Sequence, residues 1–185
     1  MTAYTHLQTP LGPLLLTACD EKLTGLSFAD RPHAPRIAPG WLEQEDHPLF
    51  AQTRLQLEQV ASGQRRSFDL PIHLHGTPFQ LRIWHEIAAI PYGHTRTYGE
   101  IARRLGSPGS DRAVGAATGR NPLCWVVPCH RVLGQNGALT GYAGGLPRKT
   151  ALLALESGHT PTLLPPLSAS DTPPHSSQAA CALLP

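Results

Sequence analysis

Hydrophobic positions along the chain change period partway through. Leu14 to Cys19 (L-L-L-T-A-C) is an apolar run, Asp20-Glu21-Lys22 interrupts it, and Leu23 to Phe28 resumes it. Two short apolar runs around a polar break predict a β-hairpin. Residues 30–47 are rich in proline, histidine and acid and predict an irregular connection. Across Leu49 to Val60 apolar residues recur with a spacing near 3.6, which predicts a short helix stopped by Gly63. Ser67 to Leu74 predicts a further strand. Residues 1–76 thus read as a small α/β domain with an antiparallel sheet.

From Thr77 the pattern becomes helical. Thr77 is a cap candidate with Pro78 after it, and Phe79, Ile83, Trp84, Ile87 and Ile90 form an apolar stripe that ends at Pro91-Tyr92-Gly93. A second helix is predicted in T-Y-G-E-I-A-R-R-L, where Thr97 and Glu100 have capping-box spacing. A turn over Gly106 to Gly109 leads to a third helix, with Ser110 as its cap and small residues throughout. Asn121-Pro122 stops it, Leu123 to Val127 predicts a buried strand, and Lys149 to Glu156 predicts a last helix. Helix, short turn and small-residue helix outline a helix-turn-helix unit, and Arg103, Arg104, Arg112 and Arg120 turn that outline towards nucleic acid. After Gly158 the chain holds six prolines, four serines and no Lys or Arg, which predicts a disordered tail over 159–185.

Charge sharpens the division. The net charge of +2 splits into −2 for residues 1–78 (6 Lys+Arg, 8 Asp+Glu), +6 for 79–150 (9 against 3) and −2 for 151–185 (0 against 2). A basic field confined to the helical part suits a polyanionic partner, although solvated surface charge would also give an uneven spread. No apolar stretch is long enough to span a membrane, and M-T-A-Y-T-H is not a basic region ahead of a long apolar run. A cytoplasmic, reducing setting is expected, in which a reactive thiol survives. Of the four cysteines, Cys19, Cys124, Cys129 and Cys181, none forms a C-x-x-C pair or a zinc-ligand spacing, so no metal is expected.

The candidate chemistry lies in P-C-H-R-V, residues 128–132. On its own Cys129-His130 does not separate a nucleophile from a metal ligand or a buried small hydrophobe, and free cysteines are most often core. Its surroundings decide. P-F-Q-L-R-I-W at 78–84, I-P-Y-G-H-T-R-T-Y-G-E-I-A at 90–102, R-A-V-G-A-A at 112–117, N-P at 121–122, V-P-C-H-R-V at 127–132 and N-G-A-L-T-G-Y-A-G-G-L at 136–146 closely resemble, in order and spacing, the O6-alkylguanine-DNA alkyltransferases. The first part is similar to that family more weakly, chiefly in T-P-L-G-P-L and the hairpin after it.

The resemblance implies a small α/β domain followed by a mostly helical, winged-helix-like domain over 77–158 that binds DNA and accepts the alkyl group. It also implies direct repair of O6-alkylguanine, with O4-alkylthymine as a further substrate, and no catalytic cofactor. The partner would be double-stranded DNA and the protein a monomer. Cys129 matches the acceptor, His130 the base acting on the thiol through water, and Glu156 the acid orienting the imidazole. Without the resemblance, Glu156 reads as an ordinary residue on a helix surface. Tyr98 matches a residue that helps flip the base and gives its proton to the leaving guanine. Arg112 matches the arginine that fills the gap in the duplex, and Asn121 the residue tying together the turns around the site. Tyr142, Ala143 and Gly144 match the loop that lines the family's pocket. Some relatives have serine at the position of Ala143, so backbone donors near Cys129 and Val132 are expected to do more here. Arg120 is expected at the DNA backbone, and Arg131 is expected to brace the structure through an ion pair. A lesion-binding protein without transfer chemistry and a cysteine hydrolase are the competing readings, and the second leaves the basic helix-turn-helix unexplained.

Overall fold

A computed structural model describes residues 1–31 and 34–158. The tail expected over 159–185, with Cys181, lies outside the described residues, as does His33.

Strands β1 (Thr2–Thr9), β2 (Gly12–Cys19) and β3 (Lys22–Phe28) form an antiparallel meander. Inward and outward positions alternate along β1, whereas Leu14 to Ala18 of β2 are buried on both faces, as fits an inner strand. The β2–β3 turn is Asp20-Glu21, with φ of 49° and 62°. Positive φ at both turn residues gives the twist that a two-residue hairpin needs, and Asp tolerates it better than most residues. The irregular connection contains one detail that its composition hid. Leu42–Glu43 (β4) pairs parallel to β1, giving the order β3-β2-β1-β4.

Helix α1 (Pro48–Ala61) covers the sheet with Leu49, Phe50, Leu57 and Val60, and the His47 ring accepts a hydrogen bond from Leu49 N–H at its start. The strand expected over Ser67 to Leu74 does not form. Its one ladder contact is a bridge between Ile72 and Leu23. Pro71 has no N–H to give, and the Gln56 side chain takes both backbone groups of Asp69, at 2.7 and 2.8 Å.

The second part is helical: α2 (Pro78–Ala88), α3 (Tyr98–Arg104), α4 (Asp111–Gly119) and α5 (Leu146–Glu156). Full capping boxes start α2, with Thr77 and Gln80, and α3, with Thr97 and Glu100. Ser110 does not cap α4, because its hydroxyl donates backwards to the Ser107 carbonyl at 2.6 Å. Ile83, Trp84 and Ile87 of the expected stripe are buried, each worth roughly 1.5–3 kcal/mol. Phe79, in the first turn, stays 39% exposed. The Trp84 indole donates to the Ala117 carbonyl at 2.9 Å, which locks α2 to α4. A two-stranded parallel pair, β5 (Arg96–Thr97) and β6 (Val132–Leu133), joins the helix-turn-helix unit to the segment after Cys129.

Leu123 to Val127 is not a strand. Leu26 of β3 meets it once, through hydrogen bonds to Pro122 and from Cys124, and the chain then folds back on itself. The Asn121 amide supplies the reason. It accepts from Leu123 N–H at 3.0 Å and donates to the carbonyls of Val127 (2.8 Å) and Leu123 (3.4 Å), replacing ladder partners with local ones. Trp125, buried at the bend, has φ of 76°. This loop runs past Leu26 of β3 on its way to Cys129, and the two halves of the chain share one core.

Candidate active site

Pro128 ends the folded-back loop, and Cys129–Arg131 forms a single 3-10 turn. Cys129 N–H bonds the Val127 carbonyl at 2.7 Å. Cys129 is 2% exposed and His130 is fully buried. Glu156, the last residue of α5, points back towards this turn. His130 Nε2 lies 2.8 Å from Glu156 Oε1. Arg131 grips both carboxylate oxygens, with Nε at 3.1 and 2.9 Å and Nη2 at 2.8 Å, and its Nη1 donates to the Ile90 carbonyl at 2.6 Å. Gly93 N–H adds a bond to Oε2 at 3.2 Å.

Burial pushes the Glu156 carboxyl up, but hydrogen bonds from His130 and Arg131, together with their charges, outweigh it and hold the pKa at about 2. An ionised carboxylate only accepts, so Nε2 of His130 carries the hydrogen and Nδ1 the lone pair. Among the described residues Nδ1 is buried without a hydrogen-bond partner. Burial lowers the His130 pKa, against the pull of Glu156, so the ring is a neutral base near neutral pH.

These shifts have a consequence for stability. Glu156 is lowered from 4.5 to about 2, so its contribution is complete above pH 4.5 and is lost as pH falls towards 2. The shift corresponds to on the order of 3 kcal/mol. His130 is lowered as well, so protonating it below its ordinary value also favours the unfolded chain. Glu156→Gln is expected to lower the urea midpoint strongly near neutral pH, with the gap to the parent narrowing towards about pH 3. A gap that is constant with pH would mean that the carboxylate charge contributes nothing.

Two residues that the sequence reading passed over belong to this centre. Lys149 of α5 is fully buried, and its ammonium donates to the carbonyls of Val132 (2.6 Å), Thr140 (2.8 Å) and Gly141 (3.5 Å). Burial lowers its pKa, and the nearby Cys129 opposes that. Arg148 beside it fastens the 140–145 loop to the first half of the chain. It pairs with Asp30 at 2.5 and 2.9 Å, donates to the carbonyls of Leu11 (2.5 Å) and Gly144 (3.1 Å), and lies over the Phe28 ring at 4.2 Å. A Cβ on Gly144 would come within 2.6 Å of both Phe28 and Tyr142, so the loop closes this tightly only with glycine.

A cleft of about 590 Å³ is lined among others by Arg120, Asn121, Cys124, Tyr142 and Ala143; Cys129 itself is not part of its wall. That volume lies within the usual range of small-molecule pockets. The Tyr142 hydroxyl is buried and, among the described residues, has no hydrogen-bond partner. Tyr98 and Arg112 lie elsewhere, with Arg103 and Thr140 along a second cleft of about 630 Å³ at the α3–α4 face. Arg112 is exposed in the first turn of α4, and Arg120 is exposed just past its end. Arg131 is turned inward onto Glu156. Val132 offers no free backbone group to the cleft: its N–H bonds the Cys129 carbonyl and its own carbonyl accepts from Lys149.

Comparison with known proteins agrees across the whole described chain. Residues 2–74 match the ribonuclease-like domain of 6-O-methylguanine DNA methyltransferase, and residues 78–158 match its DNA-binding domain. The chain is 46% identical over 164 residues to the methylated-DNA--protein-cysteine methyltransferase of Mycolicibacterium paratuberculosis, covering 89% of this chain and 98% of that one. It is 44% identical to the protein of the same name from Methanosarcina acetivorans, covering 83% and 97%. Among solved structures, the Mycobacterium tuberculosis protein OGT in complex with DNA superposes with a TM-score of 0.79 at 42% identity, covering 86% of this chain and 96% of that one. The Pyrococcus kodakaraensis O6-methylguanine-DNA methyltransferase shares the fold, with a TM-score of 0.59 at 22% identity, covering 84% and 99%.

Proposed function

The chain belongs to the 6-O-methylguanine DNA methyltransferase family, and we propose that it repairs alkylated DNA by moving the alkyl group from the O6 oxygen of guanine onto its own Cys129, once and irreversibly. The observation that carries this reading is the buried His130–Glu156–Arg131 constellation on the single turn that also carries the Cys129 thiol.

The chemistry needs a thiolate, since the neutral thiol is a poor nucleophile. His130 Nδ1 takes the Cys129 proton through a bridging water, while Glu156 holds the ring from the other side. The sulfur attacks the alkyl carbon, a C–S bond forms, and the C–O6 bond breaks with its electron pair staying on guanine. The departing guanine anion takes up one proton, which balances the one lost from Cys129; the Tyr98 hydroxyl lines the second cleft and supplies that proton only to a base seated against the α3–α4 face. Since the thioether does not ionise or leave, the protein is spent. Residues 77–158 form the DNA-binding and acceptor unit. Double-stranded DNA is the partner, and its damaged nucleotide is turned out of the stack to reach the cleft.

One observation favours a second reading. Cys129 is only 2% exposed, as a lesion-binding protein without transfer chemistry would tolerate. Titrating a fixed amount of protein with excess O6-methylguanine duplex separates the two. The transferase reading predicts methyl loss from DNA that rises to one equivalent per chain and stops. Lesion binding with no methyl lost would establish the second reading, and continued turnover would contradict both.

A further inference from the structure

Three donors on the wall of the 590 Å³ cleft have nothing to donate to. Arg31, in the connection after β3, and Arg120, just past α4, line the cleft from the two halves of the chain. Both are exposed, and among the described residues neither guanidinium forms a hydrogen bond or ion pair. Arg31 Nη1 stands 3.0 Å from where a Cβ on Gly145 would lie, so this cation sits against the loop that carries Tyr142 and Ala143. The third donor is the Tyr142 hydroxyl, which is buried and unpartnered among the described residues. Burial pushes the phenol well above its ordinary value, so it keeps its hydrogen. No carboxylate is among the described residues lining the cleft. Asp30, next to Arg31 in the chain, is already paired with Arg148 at 2.5 and 2.9 Å. An unpartnered buried donor and two free cations around one space form a site for an anion.

The cleft flanks the acceptor turn. Asn121 Nδ2, from its wall, and Cys129 N–H bond the same Val127 carbonyl, at 2.8 and 2.7 Å. The Tyr142 ring, also on the wall, lies 6.4 Å from the His130 ring. In the transfer reaction the sulfur, the attacked carbon and the O6 oxygen must lie nearly in line. A substituent on that carbon therefore projects sideways from the line, and a space beside Cys129 receives it.

We propose that this cleft is a subsite for O6 substituents that carry a negative charge, of which carboxymethyl is the simplest, and that Tyr142, Arg31 and Arg120 select them. The proposal rests on Cys129 being the acceptor. The Cys129 thiolate attacks the methylene carbon, a C–S bond forms, and the C–O6 bond breaks with its electron pair on guanine, which takes up one proton. The carboxylate is unchanged and remains on the protein as S-carboxymethylcysteine. Without help, a carboxylate beside the attacked carbon repels the incoming thiolate. Guanidinium groups and a phenol donor next to it remove that repulsion in a partly enclosed site. A guanidinium has five N–H donors, so Arg120 serves a DNA phosphate and the cleft together.

The test uses three duplexes that differ only at O6: methyl, carboxymethyl and carbamoylmethyl, the last a neutral match in shape to the second. Single-turnover rates at saturating protein give the ratio of carboxymethyl to carbamoylmethyl transfer. Comparing that ratio between parent and variant cancels the intrinsic reactivity of each group and any change in DNA affinity. Tyr142→Phe keeps the ring and is expected to lower the ratio about tenfold, the scale of one hydrogen bond to a charged group. Arg31→Gln is expected to lower it about threefold, because this cation is exposed, and by less at high salt. An unchanged ratio in both variants would overturn the proposal. Equal slowing on all three duplexes would also overturn it, by assigning these residues to the DNA backbone or the fold. If the parent transfers none of the three groups, the acceptor assignment fails. Titration of the same duplexes with Cys129→Ser still tests the subsite, and equal affinity for the carboxymethyl and carbamoylmethyl duplexes would overturn it.

Discussion

Alkyl transfer by the Cys129→Ser variant is expected to fall by roughly 10⁴-fold or more, while affinity for lesion-bearing duplex stays within a few fold of the parent. The size of the loss follows from the site. A serine hydroxyl ionises far above the range that the neutral, buried His130 ring can reach, so no oxyanion forms to replace the thiolate. The substitution is close in volume, and the Cys129 backbone bond to Val127 does not depend on the side chain, so the turn and the basic face of α3 and α4 survive. Binding is read by titration of fluorescent duplex, and transfer by loss of methyl from DNA. A variant that still transfers would move the acceptor to another thiol, and Cys124, buried in the cleft wall, would be the first to map.

Arg112→Ala is expected to slow repair of duplex DNA by roughly 10²-fold or more, on the scale of a few kcal/mol for unstacking a base, while leaving reaction with free O6-benzylguanine within about twofold. Arg112 is exposed in the first turn of α4, away from the cleft that holds Cys124 and Tyr142, so proton removal from Cys129 by the His130–Glu156 pair does not depend on it. A guanidinium inserted in the duplex stacks and donates hydrogen bonds at once, which compensates for the extruded base. Arg120 stands at the other end of α4 and borders the cleft. Its change to Ala is expected to weaken DNA affinity modestly by removing one phosphate contact, and to lessen the salt dependence accordingly. Equal slowing of Arg112→Ala on both substrates would place its role in the fold instead of the duplex.

The local rules of the sequence were legible wherever a single segment decides its own structure. Thr77 with Gln80 and Thr97 with Glu100 cap their helices because both partners lie within one turn. The hairpin around Asp20-Glu21 closes for similar reasons. Segments whose hydrogen bonds are claimed from a distance were misread. Ser67 to Leu74 loses its ladder to Gln56, and Leu123 to Val127 loses its own to Asn121, although both have strand-like composition.

Lys149 shows the same limit at the site. A lysine on a helix reads as solvent-facing. It is buried here because carbonyls from Val132, Thr140 and Gly141 converge on it, and no periodicity encodes that convergence. Glu156 alone reads as surface, and only the ordered motifs singled it out; the structure buries it under His130 and Arg131. Cys124 reads only as one of four cysteines, since its place in the cleft wall depends on a loop that folds back at Trp125.

In a single-acceptor protein one alkyl group ends on one sulfur, and peptide mass mapping after reaction with duplex containing O6-methylguanine reads where it goes. A single added methyl per chain is expected, located on the peptide that carries Cys129, with Cys19, Cys124 and Cys181 unmodified. Methyl on any other residue, or an unmodified Cys129 peptide after the lesion has been repaired, would contradict it.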